Sequence, residues 1–547
     1  MTEEAQPAPE GPTEIIETSY EVGQDNIQPR VGPFGLDIHN PVFVISGLTI
    51  VVFVGITLAV PTLAGGLLRW LLATITTNFD WFFLLTGNVF VLVTVGILLS
   101  PLGRVRIGGP EAKPDYSYLG WFSMLFAAGM GIGLMFYGVA EPLGHFTAAV
   151  AQDAGTPESW APLGGAPGNV EEAWRLAMAA TIFHWGLHPW AIYAIVALSL
   201  ALFSYNKGLP LSMRSIFYPI LGERVWGWPG HIIDTLAVFA TLFGLATSLG
   251  LGAEQANAGL EYLIGFPEGN ASKVLLVIGI TAIALGSVVA GMDKGVKRLS
   301  EINMILALLL FLFILAVGPT LLILSGFVTN LIAYLEYLPA LANPFDRSDT
   351  NFSEGWTTFY WAWWISWSPF VGMFIARVSR GRTVRQFLIA VLLVPSLVSL
   401  LWMTTFGGTA INQVVSLGYE AAMNAPLELQ LFRTLEILPL AGITSFLGIV
   451  LVIVFFVTSS DSGSLVIDTI TAGGKLDAPM SQRVFWAVFE GLVAIALLLG
   501  GGLAALQAAA VSTGLPFAIV LLLGCWGLLK GLMKEPRPPR VRHAALR

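Results

Sequence analysis

Between residues 356 and 369 the chain reads WTTFYWAWWISWSP, with five tryptophans and no charged side chain. An indole offers a negative ring face, so a surface paved with indoles attracts a diffuse cation such as a quaternary ammonium group, which has no N–H to donate. At 100° per residue Trp363, Trp364 and Trp367 fall within an arc of about 100°, with Trp356 on the same side and Trp361 opposite. Trp367 lies about 16 Å along the helix from Trp356, too deep for an interfacial aromatic belt, which accounts for Trp356 and extends at most to Trp361. Deep indole N–H groups need polar partners or a cavity, and ordinary packing of large side chains is the competing account. A second aromatic set, Trp185, Trp190 and Tyr193, sits in FHWGLHPWAIY, where Pro189 predicts a mid-span kink.

Three further motifs carry chemistry. FAAGMGIGLMFYG places Gly129, Gly131 and Gly133 at alternate positions. Gly129 and Gly133 alone make a Gly-x-x-x-Gly packing face. Gly131 adds nothing to such a face and points instead to an unwound stretch, whose freed carbonyls and amides can meet a cation or an anion. In FFVTSSDSGS, Thr458 and Ser459 offer hard hydroxyl oxygens to a cation, or simply bond back to their own helix. His184 and His188 are spaced i, i+4 but have no neighbouring carboxylate or cysteine in sequence, which favours packing or hydrogen bonding over a metal.

The chain has no P-loop and no HExxH motif, so ATP-driven pumping and zinc proteolysis lack their usual residues. Cys525 is the only cysteine, which excludes an intramolecular disulfide. Of 547 residues 55% are hydrophobic and 11% charged, with a net charge of -8. That is membrane-protein composition, and the acidic balance excludes a nucleic-acid partner.

Positioning these motifs takes membrane helices. Apolar runs long enough to cross begin near residues 42, 80, 118, 176, 231, 273, 302, 356, 386, 438, 484 and 505, predicting twelve spans. All but five (Arg69, Arg175, Lys273, Arg347, Arg433) of the 27 basic residues fall on the side of the termini, which predicts that both termini are cytoplasmic. Residues 1–40 carry eight carboxylates against Arg30; they have no basic start for a signal peptide and are expected to form a disordered tail. FVTNLIAYLEYLPALANPF predicts an amphipathic helix on the outer surface. The tail 531–547 is basic and interrupted by Pro536, Pro538 and Pro539, which fits positive-inside anchoring and leaves regulation open.

Taken together, AAGMGIGLMFYGVAEPL, FHWGLHPWAIYA, FYWAWWISWSPFVGMFIARVSRGRTVRQF and VTSSDSGSLVID resemble the betaine/choline/carnitine transporter family over about residues 35–530. The resemblance is greatest to its sodium-coupled glycine betaine symporters. It implies an all-α membrane protein of twelve transmembrane helices with a LeuT-type fold, in which two inverted five-helix repeats follow two extra helices. The expected segments are the tail 1–40, extra helices 41–101, a first repeat 117–327, an outer helix and loop 328–354, a second repeat 355–530 and the tail 531–547. It further implies a homotrimer in lipid in a bacterial plasma membrane. The implied activity is import of glycine betaine or a related zwitterionic solute by sodium symport, with no enzymatic cofactor. A proton-coupled choline or ectoine carrier is the alternative.

Carried over by position, the family's aromatic box falls on Trp185, Trp190, Tyr193 and Trp364, with Trp363 and Trp367 lining the path and Gly129, Gly131 and Gly133 forming the unwound wall. One sodium site falls on carbonyls of Ala127, Met130 and Phe455 and on the hydroxyls of Thr458 and Ser459. A second sodium site would use Thr241 and Phe370, but its further threonine position is Leu245, which cannot ligate sodium. Relatives that move cationic choline carry aspartate where this chain has Gly133, so glycine favours a zwitterion.

Overall fold

The structure is a computed structural model that describes residues 7–32, 34–129, 131–290 and 296–536. Its long helices are α1 (Val42–Ala59), α2 (Pro61–Leu99), α3 (Tyr118–Gly129), α4 (Ile132–Val150), α5 (Val170–Trp185), α6 (Leu187–Ala201), α7 (Trp228–Ile264) and α8 (Asn270–Ala290). They continue with α9 (Val296–Val317), α10 (Thr320–Leu341), α11 (Thr358–Val378), α12 (Val384–Leu417), α13 (Ala441–Thr471), α14 (Met480–Gly501) and α15 (Leu503–Met533). Lys294, Met130 and the basic tail beyond Pro536 lie outside the described residues.

Local chemistry sets several boundaries. Pro61 opens α2 at a position where its missing N–H costs nothing. Asn169 caps α5 by accepting from the Glu172 amide, and Thr383 and Gln386 form a reciprocal capping box on α12. The second span therefore begins at residue 61, well before the apolar run near residue 80.

Among the described residues eleven helices qualify as spans by length and hydropathy, and twelve when the bent pair α3–α4 counts as one. That set includes α10 and omits the tryptophan-rich α11, whose indoles, tyrosine and serines lower its hydropathy although it lies in the core. The helix expected on the outer surface is thus part of α10, apolar enough to cross by itself. It packs against α5 and α12 and exposes Leu321, Val328 and Ile332. The result is an all-α, multi-span membrane protein. Its centre is α11 between α6, α7 and α15, while α1 and α9 turn most of their surface outward.

The acidic N-terminal tail departs from expectation. Asn26–Ile27 pairs antiparallel with Ile38–His39, and Arg30–Val31 with Phe34–Gly35. Tyr20 stacks on Trp226 with ring centroids 4.3 Å apart. Asp37 pairs with Lys475 at 2.6 Å, Glu10 with Arg380, and Glu14 lies 3.6 Å from Lys207 and 3.5 Å from Lys534. Carboxylates that composition marks as disordering are thus paired with basic residues of the loops on the termini-bearing face.

Candidate substrate and cation site

Two broken helices shape the site. The α3–α4 span bends by 64°, and Gly131, at the start of α4, is extended with φ -165°. The glycine motif is therefore a break in the helix rather than a packing face alone. A Cβ at Gly133 would lie 2.6 Å from the Trp185 ring and 3.0 Å from that of Trp363, so only glycine lets both indoles close on this turn. The second break lies between α5 and α6 at Gly186, three residues before the expected kink at Pro189. Pro189 falls in the first turn of α6, where its lack of an N–H removes no helical bond.

Trp185, Tyr193, Trp363, Trp364 and Trp367 converge with Gly131 and Gly133 on a cavity of about 50 Å³, and no charged residue is among those lining it. Each indole N–H of this wall has a fixed acceptor: Trp185 to Glu141 Oε2 at 2.6 Å, Trp363 to Ser248 Oγ at 3.3 Å, Trp364 to the His184 carbonyl at 3.0 Å and Trp367 to the Gly244 carbonyl at 2.9 Å. With their polar edges engaged, the indoles leave ring surface and C–H edges for an occupant. Trp364 meets Trp185 at 5.2 Å and Tyr193 at 5.3 Å, both edge to face. Trp190 stands behind, packed on Tyr193 at 5.3 Å, and does not line the cavity.

The flanking tryptophans do other work. Trp361 is fully buried away from the cavity and stacks on His188 at 5.5 Å. Trp356 lines a larger cavity of about 550 Å³ with Tyr137, His145 and Phe359. The Tyr137 ring contacts Trp356 on one side and Trp363 and Trp185 on the other, and so separates the two spaces.

Ala127, Phe455, Thr458 and Ser459 line a third cavity of about 140 Å³ together with Phe370 and Asn303. Ala128 and Trp367 border both this cavity and the aromatic one. The Thr458 hydroxyl donates to the Val454 and Phe455 carbonyls at 3.1 and 3.0 Å, which leaves its oxygen lone pairs free to accept. Thr241 is buried and donates to the Ala237 carbonyl at 2.8 Å; it is not among the residues lining this cavity with Phe370. Leu245 reaches the Cα of Gly463, where an added Cβ would lie 2.3 Å from its methyl.

Sequence order hides one group. Glu141, wholly buried, accepts from Trp185 and Tyr360 through Oε2, each at 2.6 Å, and its Oε1 meets His184 at 2.6 Å and His145 at 3.2 Å. The ligand atoms of Glu141, His145 and His184 lie within 4.8 Å of one another, yet the carboxylate is already shared among four hydrogen-bonding partners. His184 also reaches Thr357 at 2.9 Å, while His188 bonds Asn88 at 2.9 Å. The two histidines therefore serve separate networks, as the hydrogen-bonding account of them expects. The only signal for Glu141 in the sequence is a lone carboxylate within an otherwise apolar helix.

Comparison with known proteins completes the assignment. Residues 41–537 match the family described as "BCCT, betaine/carnitine/choline family transporter". A glycine betaine/proline/choline transporter of Vibrio parahaemolyticus is 64% identical over 536 residues, covering 97% of this chain and 96% of that protein. A glycine betaine/proline/choline/ectoine transporter of the same organism is 52% identical over 95% of this chain and 91% of its own length. A glycine betaine transporter of Bacillus subtilis is 44% identical over 86% and 92%. The broken helices, the charge-free aromatic cavity and these matches agree: the chain belongs to the betaine/carnitine/choline family of transporters.

Proposed function

We propose that this chain imports glycine betaine or a related zwitterionic compatible solute by sodium symport across a bacterial plasma membrane, with both termini cytoplasmic. Its role would be solute accumulation under osmotic stress. The observation that carries the substrate class is the cavity walled by Trp185, Tyr193, Trp363, Trp364 and Trp367 without a lining charge. Ring quadrupoles hold a trimethylammonium group there, and a solute that brings its own carboxylate needs no protein counter-charge. The names of the relatives, which share glycine betaine, support the same solute class. Thr458 and Ser459, with carbonyls of Ala127 and Phe455 around the neighbouring cavity, supply hard oxygens for one sodium ion. Met130 would join them; Leu245 speaks against a second, complete site on Thr241 and Phe370.

Three cavities in sequence, with the Tyr137 and Trp363 rings between the two outermost, support alternating access between two five-helix halves at 117–327 and 355–530. The family resemblance further supports a homotrimer embedded in lipid. Labelled betaine uptake into proteoliposomes under an inward sodium gradient, an inward proton gradient or neither tests the coupling. Uptake rises with the sodium gradient, with a Hill slope near one; equal rates in all three conditions would refute the symport proposal.

A further inference from the structure

Helix α14 carries one carboxyl group where a membrane span can least accommodate one. Glu490 sits midway along Met480–Gly501 and is wholly buried. Its Oε2 accepts one hydrogen bond, from Ser460 Oγ at 2.9 Å, and its Oε1 has no partner. No ion pair of Glu490 is present among the described residues. On its own helix Arg483 is engaged by Asp461, which also accepts from Ser287 at 2.7 Å.

The helices packed on α14 supply no counter-charge. Helix α1 has no ionisable residue. On α2, Arg69 lies by Gly501, at the far end of α14, and Asp80 is bonded to Ser353. On α7, Asp234 holds Arg214 and Glu254 holds Lys273 of α8, while His231, Glu261 and Tyr262 lie toward its ends. On α13, besides Asp461, Asp468 accepts from Gln482 at 3.1 Å. On α15, Lys530 lies over the Trp526 ring and Cys525 is buried.

A bare carboxylate with one neutral donor is disfavoured at this depth, so the group must be neutral or hold a cation. Sodium needs several oxygen ligands, whereas the one hydrogen bond that Glu490 makes among the described residues is that from the Ser460 hydroxyl. A proton needs no further ligands. We propose that Glu490 is a proton-binding site, with its neutral carboxyl held against Ser460. Ser460 lies about 100° around α13 from Ser459 and about 200° from Thr458, which border the 140 Å³ cavity together with Ser462 of the same helix and Ser300. Loss of the proton demands hydration of the α13–α14 contact, so proton occupancy biases the helix that carries the cation-facing hydroxyls. This effect on transport rests on the assignment of Thr458 and Ser459 as sodium ligands; the proton site itself does not.

Infrared titration of the purified full chain in lipid tests the site. The wild type minus Glu490→Gln difference spectrum should contain a protonated carboxyl C=O band that disappears on alkalinisation. Spectra without that band would overturn the proposal. Should Glu490→Gln fail to reach the membrane, Ser460→Ala should shift the titration of the same band, and an unshifted band would count against it. Uptake under a constant sodium gradient should fall several-fold with rising pH in wild type and lose that dependence in Glu490→Gln; an unchanged pH profile would overturn the coupling. Sodium-independent uptake with a titrating Glu490 band would refute the symport proposal and leave the proton site standing, and the opposite pair of results would do the reverse.

Discussion

Glu141 joins three elements through one carboxylate. Its partners Trp185 and Tyr360 lie 44 and 219 residues away in the chain, so neither composition nor periodicity reveals the cluster. The tryptophans were legible because indole at helical spacing, deep in a span and free of charges, has few structural uses. Even there the sequence could not separate Trp363, Trp364 and Trp367, which line the small cavity, from Trp190, which supports them from behind. Since Glu141 orients Trp185, substituting Glu141→Gln places an amide N–H₂ among groups that already donate. One buried donor is left unpaired, at a cost of about 1–3 kcal/mol. The expected outcome is a rise in the KM for betaine on the order of 10-fold with normal membrane insertion. An unchanged KM would show that Trp185 is held by its ring contacts alone.

At the scale of elements, the break in α3–α4 was readable because alternate glycines exceed what a packing face requires. The break at Gly186 was displaced from its expected place because proline in a first turn does not disturb a helix. The N-terminal segment was misread for a different reason: its stabilising partners Lys475, Arg380 and Trp226 belong to distant loops, and low hydrophobicity says nothing about them. Its docking has a pH dependence. Burial and the Arg214 guanidinium lower the His39 pKa from 6.5 to about 3, so the docked state holds the neutral imidazole. A group lowered in the docked state contributes fully above 6.5, and that contribution is lost progressively as pH falls from 6.5 toward 3. Hydrogen exchange across residues 26–39, corrected for intrinsic rates, should show less protection near pH 5 than at neutral pH. Equal protection at both would contradict the assignment of His39 as a neutral buried group.

On the scale of the whole molecule, helices of ordinary membrane hydropathy surround a core that is less apolar. The all-α, multi-span architecture is written in the apolar runs, but α11, which carries most of the aromatic wall, fails a hydropathy test that α10 passes. The order of the three cavities, with Trp367 and Ala128 shared by the aromatic and hydroxyl-lined spaces, emerges only when the helices are packed together. Under the proposed function this adjacency would make solute and ion neighbours, each favouring the other's binding. The most direct test is equilibrium binding of labelled glycine betaine to the purified full chain and to Trp364→Leu, both in sodium. Trp364 touches Trp185 and Tyr193 within the wall, and losing one desolvated cation–π face is worth about 2 kcal/mol. The account predicts saturable binding in wild type and a loss of affinity on the order of 30-fold in Trp364→Leu; wild-type affinity in the variant would contradict it.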